Sequence, residues 1–284
     1  MKSYLEVAIS SSGLQRELLI PTMIELGCTG FQETDNDLLC YFEKTKWDNG
    51  TMEFLKSDLK RLLQSISVNV ALQFREFDEE NWNEQWEKSL SPIEIGYKLV
   101  IKPSWRDYDN HSNRIIINID PKMSFGTGYH ETTRLTLRLL EKYLQPKDNM
   151  LDIGTGTGIL AIAAAKLGAS ASIGTDIDNW SIENANENVL ANGVERSVII
   201  VQKSLSEFAP MSFDLITANL TLNTNIELLF DFKSILTRNG KLLLSGLLEQ
   251  DQYIMIQKLK ASSFELTEVI SENEWVAIAA HQRE

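Results

Sequence analysis

The fold is decided by Leu151-Asp152-Ile153-Gly154-Thr155-Gly156-Thr157-Gly158. The stretch reads as a buried strand that runs into a glycine-rich turn and opens a helix. Glycines there remove side chains where a ligand must approach the backbone, and a helix N-terminus offers free N–H groups. Gly174-Thr175-Asp176-Ile177-Asp178 follows, with Asp176 eighteen positions after Gly158, at the end of the apolar run Ala171 to Thr175. An acidic residue at that place accepts the hydroxyl hydrogens of a ribose. The two segments predict a nucleoside cofactor at the C-terminal edge of a parallel sheet.

The glycine spacing narrows the cofactor. A dinucleotide fingerprint, G-x-G-x-x-G, would need glycine at 159, where the chain has Ile159, and no Gly-Lys-Ser/Thr of a phosphate loop follows. The pattern present is D-x-G-x-G-x-G. It resembles the S-adenosylmethionine (AdoMet) turn of Rossmann-like methyltransferases. A merely structural turn is the alternative, disfavoured because Asp152, Gly154, Gly156, Gly158 and Asp176 all fall in place together.

At 284 residues, length predicts roughly two domains. The longest apolar run near the glycine turn, Ile159 to Ala165, is far short of a membrane span, and the start of the chain has no signal-peptide core. The 2 cysteines, Cys28 and Cys40, form no C-x-x-C, and with 3 scattered histidines they make no zinc pattern, so no metal site is expected. These features read as a cytoplasmic protein with reduced thiols and no membrane partner. A formal charge of −13 disfavours direct nucleic-acid binding and attracts a basic partner. Ordinary solubility explains the same charge. A monomer is expected.

Residues 1–77 read as strand Tyr4–Ile9, helix Leu14–Leu26, strands Phe31–Thr34 and Leu38–Phe42 around an Asp35-Asn36-Asp37 turn, helix Met52–Ile66 and strand Val68–Phe74. The order βαββαβ predicts a small ferredoxin-like α+β domain. It carries no catalytic motif, which leaves packing or docking as its role. Residues 78–94 read as a polar connector, in which Trp82 and Trp86 would share a helix face, either as interdomain packing or as a ligand site. Residues 95–284 read as the cofactor-binding domain. Short strands span Ile95–Ile101 and Arg114–Asn118. Strands then start near Met150, Ala171, Val198, Phe213, Lys241, Phe264 and Trp275, alternating with helices until the last two. Only Ser271-Glu272-Asn273 separates those two, so a terminal antiparallel hairpin closes a seven-stranded, mostly parallel sheet.

Two further segments join the predicted site. Phe125-Gly126-Thr127-Gly128-Tyr129-His130-Glu131-Thr132-Thr133 precedes a helix with Leu135, Leu139 and Tyr143 on one side. Thr132 or Thr133 can cap that helix, and its open N–H groups favour a carboxylate such as that of AdoMet. Phe213 to Leu220 reads as a buried strand ending in Asn219. Strand ends on this edge face the ligand crevice, and an Asn there offers one acceptor and two donors. It can accept a hydrogen bond from an incoming amine and aim the nitrogen lone pair, or it can simply form a turn. His130 is open to a general-base role and to a structural or cofactor-lining one.

Phe125-Gly-Thr-Gly-x-His-x-Thr-Thr133, the Asp-x-Gly-x-Gly-x-Gly turn, Gly-x-Asp176-Ile-Asp and Ala218-Asn219-Leu220 together resemble the ribosomal protein L11 methyltransferase (PrmA) family. Trp82-x3-Trp86, Pro103-Ser-Trp105 and Glu274-Trp275 also resemble it. The likeness covers about residues 80–284, and the N-terminal part agrees in topology more than in motif. It implies AdoMet-dependent methylation of lysine and/or N-terminal amines on that ribosomal protein, with S-adenosylhomocysteine as product. It also implies cofactor contacts at Thr133, Gly154, Asp176 and Asn219, and substrate docking by the small domain. The chain departs from the family pattern at Thr221-Leu222-Asn223, Tyr129 and Glu131. Other readings of the same residues are methylation of a different amine, a nicotinamide enzyme, which the glycine spacing opposes, and a non-catalytic AdoMet-binding protein.

Overall fold

Backbone alternation in the first strands builds a small apolar core before any site appears. In the computed structural model the described residues are 3–11, 16, 19–21, 23–24, 26–34, 37–43, 57, 59, 61, 72–78, 90–120 and 125–283. They divide into two compact units, Met1–Lys88 and Ser89–Glu284. In the first, β1 (Ser3–Ser10), β2 (Gly30–Glu33), β3 (Asp37–Glu43) and β4 (Leu72–Asp78) form an antiparallel sheet in the order β2-β3-β1-β4. That is the strand order of a ferredoxin-like fold. Val7 and Ile9 of β1 and Leu38, Cys40 and Phe42 of β3 point to one face, where Leu19, Met23 and Leu59 cover them. The described residues within 16–24 and within 57–61 are helical, at the places the βαββαβ order requires. Strand β4 is described from Leu72 to Asp78, and residues 68–71 of the expected strand Val68–Phe74 lie outside the described residues. Most of the expected helix Met52–Ile66, the Asp35-Asn36 turn and the Trp82/Trp86 pair lie outside the described residues.

The second unit opens with a three-stranded sheet of β5 (Ile93–Ile95), β6 (Leu99–Lys102) and β7 (Ile115–Asn118). The single strand expected over Ile95–Ile101 is thus a β5–β6 hairpin. Gly96, at φ 56°, turns the chain, and the Glu141 carboxylate accepts the next two backbone N–H groups, of Tyr97 and Lys98. Strand β5 begins inside the stretch read as connector. Leu90 is already buried, and its carbonyl accepts from Arg106 Nε at 2.8 Å.

The main sheet comprises β8 (Asn149–Ile153), β9 (Ala171–Thr175), β10 (Val198–Val201), β11 (Phe213–Asn219), β12 (Leu236–Leu248), β13 (Phe264–Glu272) and β14 (Trp275–Gln282), in the order β10-β9-β8-β11-β12-β14-β13. The first five are parallel and the β13–β14 hairpin is antiparallel. Alternate residues feed two cores. Met150, Leu215, Leu243 and Ala277 pack beneath α1 (Glu131–Tyr143) and α2 (Ile159–Leu167). Leu151, Ile216, Leu242 and Val276 pack beneath α5 (Leu229–Ile235) and α6 (Gln252–Ala261). Helices α3 (Asn179–Ala191) and α4 (Leu222–Glu227) complete the unit. Chain order reverses between β8 and β11, the switch point where sheets of this kind leave a crevice at their strand ends. Among the described residues no helix is long and apolar enough to cross a membrane.

Candidate active site

Three strand ends and one loop converge at the switch point. Strand β8 delivers Asp152, 1% exposed, whose Oδ2 accepts the Thr155 hydroxyl and whose Oδ1 accepts the Thr217 hydroxyl, each at 2.6 Å. Burial pushes its carboxyl up to about 7, against the pull of the two hydroxyls. Asp152 therefore braces the glycine turn from below and does not line the cavity. Gly154 and Thr155 both donate backbone N–H to the Thr175 carbonyl at 2.9 Å, which ties the turn to the end of β9.

Each glycine of the turn answers a separate contact. A Cβ on Gly156, at φ 53°, would lie 2.2 Å from the Phe125 carbonyl oxygen, and one on Gly154 would meet Leu220 Cδ2 at 2.5 Å. Gly158, at φ 80°, caps α2 and lies against Ala185 of α3. Thr157 completes the lock: its N–H donates to the Phe125 carbonyl at 2.9 Å and its hydroxyl to the Gly126 carbonyl at 2.5 Å. The Phe125–Gly128 segment is thereby fastened onto the glycine turn.

At the end of β9, Asp176 Oδ2 accepts the Gly156 N–H at 3.0 Å and Oδ1 accepts the Asp178 N–H at 3.1 Å. The carboxylate is half-buried and held at a fixed angle with further acceptor capacity on each oxygen. At the end of β11, Asn219 Nδ2 donates to the Thr132 hydroxyl at 3.2 Å, whereas its Oδ1 is buried without a hydrogen-bond partner. The hydroxyl of Thr133, the residue after Thr132, is also buried and unpartnered.

The cap of α1 differs from expectation. It is His130, whose Nδ1 accepts the Thr132 N–H, while Thr132 and Thr133 sit inside the first turn, both buried. Imidazole Nδ1 supplies the same short-range acceptor that a cap hydroxyl would. The ring lies 5.3 Å from Phe125 and 5.0 Å from Trp275, edge-on to the latter. The departures Tyr129 and Glu131 have structural partners: Tyr129 Oη donates to the Ser91 carbonyl at 2.6 Å, and Glu131 accepts from Asn273 and pairs with Arg134. Arg134 in turn pairs with Glu272, so the start of α1 is tied to the β13–β14 hairpin.

These groups surround a cavity of about 670 Å³. Of the predicted residues, Phe125, His130, Thr132, Gly154, Gly156, Asp176 and Asn219 line it. Gly126, Thr127, Thr133, Asp152 and Gly158 do not. Sequence reasoning missed Lys203 to Leu205 after β10, Leu220, Thr221 and Thr224 after β11, Gly246 in β12 and Trp275 in β14. An isolated glycine in the apolar run of β12 was the available signal for Gly246. Its φ is 78°, and a Cβ there would stand 2.3 Å from the Leu220 carbonyl oxygen.

A family profile described as "Ribosomal protein L11 methyltransferase (PrmA)" matches residues 3–283. A protein named ribosomal protein L11 methyltransferase from Caldanaerobacter subterraneus subsp. tengcongensis is 31% identical over 304 aligned positions, which cover 97% of each chain. One of the same name from Alkaliphilus oremlandii is 40% identical over 232 positions, 81% of this chain and 74% of that one. The crystal structure of a ribosomal protein L11 methylase from Lactobacillus delbrueckii subsp. bulgaricus superposes with a TM-score of 0.64 at 32% identity, covering 69% of this chain and all of that one. With the interlocked Phe125 loop and glycine turn at its switch point, the chain belongs to the ribosomal protein L11 methyltransferase (PrmA) family.

Proposed function

We propose that this protein transfers methyl groups from AdoMet to amino groups of ribosomal protein L11, lysine side chains and/or the N-terminal amine, and releases S-adenosylhomocysteine. The observation that carries the reading is a single cavity that holds Asp176 at one strand end and Asn219 at another, with the glycine turn between them. A volume near 670 Å³ falls within the range of roughly 300–1,000 Å³ typical of ligand sites. The anchored Asp176 carboxylate suits ribose hydroxyls, and the orphaned Asn219 Oδ1 needs a donor such as an amine N–H.

When bound, AdoMet supplies an electrophilic methyl group on a sulfonium. Asp176, Gly154 and Gly156 would hold its nucleoside, and Phe125 and Asn219 its methionyl part. The chain's own task is to present a neutral nitrogen. A lysine with pKa near 10.4 costs roughly 5 kcal/mol to deprotonate at pH 7, and an α-amine with pKa near 8 only about 1.4 kcal/mol. The apolar wall of Leu220, Leu228 and Trp275 disfavours the ammonium form by excluding water. Asn219 Oδ1 accepts one N–H and so turns the lone pair toward the methyl carbon.

The small unit, in which Asp and Glu outnumber Lys and Arg, serves as the docking surface for the basic substrate. The test is mass spectrometry of purified ribosomal protein L11 after incubation with this protein and AdoMet. Stepwise mass increments of one methylene, mapped to amines, support the proposal. An unmodified substrate beside a protein that binds AdoMet refutes it.

A further inference from the structure

The orphaned acceptor of Asn219 raises the question of what keeps the amide from turning over. Its Nδ2 has one partner, the Thr132 hydroxyl at 3.2 Å. That oxygen lies 2.9 Å from His130 Nδ1, and the Thr132 backbone N–H donates to the same nitrogen at 3.3 Å. A nitrogen that accepts from a backbone N–H carries no hydrogen, so the imidazole is the Nε2–H tautomer. The Thr132 hydroxyl hydrogen then points to Nδ1, and its oxygen is left as an acceptor only. An acceptor can face the amide NH2 and cannot face Oδ1. Thr132 is 1% exposed, which fixes its hydroxyl, and the His130 ring packs between Phe125 and Trp275.

We infer that Thr132, set by His130, is a positioning residue that fixes the amide orientation of Asn219 and thereby makes Oδ1 the acceptor for the substrate amine. The inference rests on the amine-orienting role proposed for Asn219. It also gives His130 a purpose other than general base: the lone pair a base would need is engaged by Thr132. Inverting the amide would set Oδ1 against the Thr132 oxygen and turn two N–H groups toward an amine that itself brings N–H.

The test is single-turnover methyl transfer to intact ribosomal protein L11, with AdoMet affinity measured alongside by calorimetry. Thr132→Val keeps the volume and removes the hydroxyl. It should slow the chemical step about tenfold, the worth of roughly one hydrogen bond, while AdoMet affinity stays within about threefold. Thr132→Ser should restore the rate. His130→Asn keeps an acceptor for Thr132 and should transfer faster than His130→Phe, which keeps the ring, loses the acceptor and should be slow. In an Asn219→Ala background, Thr132→Val should have no further effect on rate, a comparison that holds even where single variants lose some stability. The inference is overturned if Thr132→Val transfers at the wild-type rate, if it slows the Asn219→Ala enzyme as much as the wild type, or if His130→Asn abolishes transfer as loss of a base would. An Asn219→Ala enzyme with an unchanged chemical step would instead sink the role of Asn219 itself.

Discussion

Replacing Asp152 by Asn removes a buried charge without changing the shape of the site. Its carboxyl is 1% exposed and is pushed by burial to about 7, from an unfolded value near 3.8. The folded chain therefore binds this proton more tightly than the unfolded chain. Stability from this group is complete below the unfolded pKa and is lost as pH rises through the folded one, the reverse of an ion-paired Asp. The full shift of about 3 units corresponds to roughly 4 kcal/mol. Between about pH 5.5 and 8.5, clear of the isoelectric point near 4.8, linkage with these two pKa values leaves about 1.5 units, or roughly 2 kcal/mol. The amide that replaces the carboxyl does not titrate. The stability advantage of Asp152→Asn should therefore grow by about 2 kcal/mol over that range, read as some 4–8 °C in the difference between melting temperatures. All other titrations are common to both proteins and cancel. Urea or thermal unfolding of both, followed at several pH values, gives the answer. A difference that stays constant with pH would mean that the two hydroxyls of Thr155 and Thr217 hold the carboxylate ionised throughout, and the burial argument would be wrong.

Asp176→Ala should weaken AdoMet binding by about 10- to 150-fold, the loss of a charge-assisted contact worth about 1.5–3 kcal/mol; unchanged affinity of a folded variant in calorimetry would remove the ribose assignment. Gly156→Ala should cost at least about 1–2 kcal/mol from its left-handed backbone alone, and more because the new Cβ meets the Phe125 carbonyl. Its crystal structure should show the Phe125–Gly128 loop displaced, and an undisturbed loop would contradict the contact. A chain shortened to begin at Ser89, which keeps the Leu90 and Ser91 carbonyls used inside the second unit, should bind AdoMet and fail to methylate ribosomal protein L11. Methylation at the full-length rate would end the docking role of the first unit.

The legible parts of this fold were those whose signals are local. Period-two alternation marked β1 and β3, and the apolar runs at Ala171 and Phe213 marked β9 and β11, because a strand's burial is written in neighbouring residues. The site was legible where glycines and polar residues end those strands. It was illegible where the wall comes from afar. Trp275 packs on His130 from the far end of the chain, and only the antiparallel return of β14 beside β12 brings it there. The cap of α1 was misread because propensity favours a hydroxyl residue, while the actual cap depends on how a ring is held by Phe125 and Trp275. Gly96 hid a hairpin in what reads as one apolar strand, since its turn is stabilised by Glu141 from a different element.

The spacing of the glycines also has a cause that reaches beyond the cofactor. A dinucleotide turn places its third glycine for close packing of helix on strand. Here Gly158 meets α3 at Ala185, while Gly156 is spent on the Phe125 carbonyl. Thr157, between them, ties Phe125 and Gly126 by N–H and hydroxyl. The glycine turn is thus fused to the Phe125–Gly128 loop, and the same loop leads through His130 and Thr132 to Asn219. Asp176 closes the other side by accepting the Gly156 N–H. A displacement of Gly156 would therefore move the carboxylate's anchor and the lead-in to the amine-facing amide together. Because both ends of the cavity hang on one residue, binding and methyl transfer should fail in concert at Gly156 and separate at Asp176 and Thr132, which each touch one end alone.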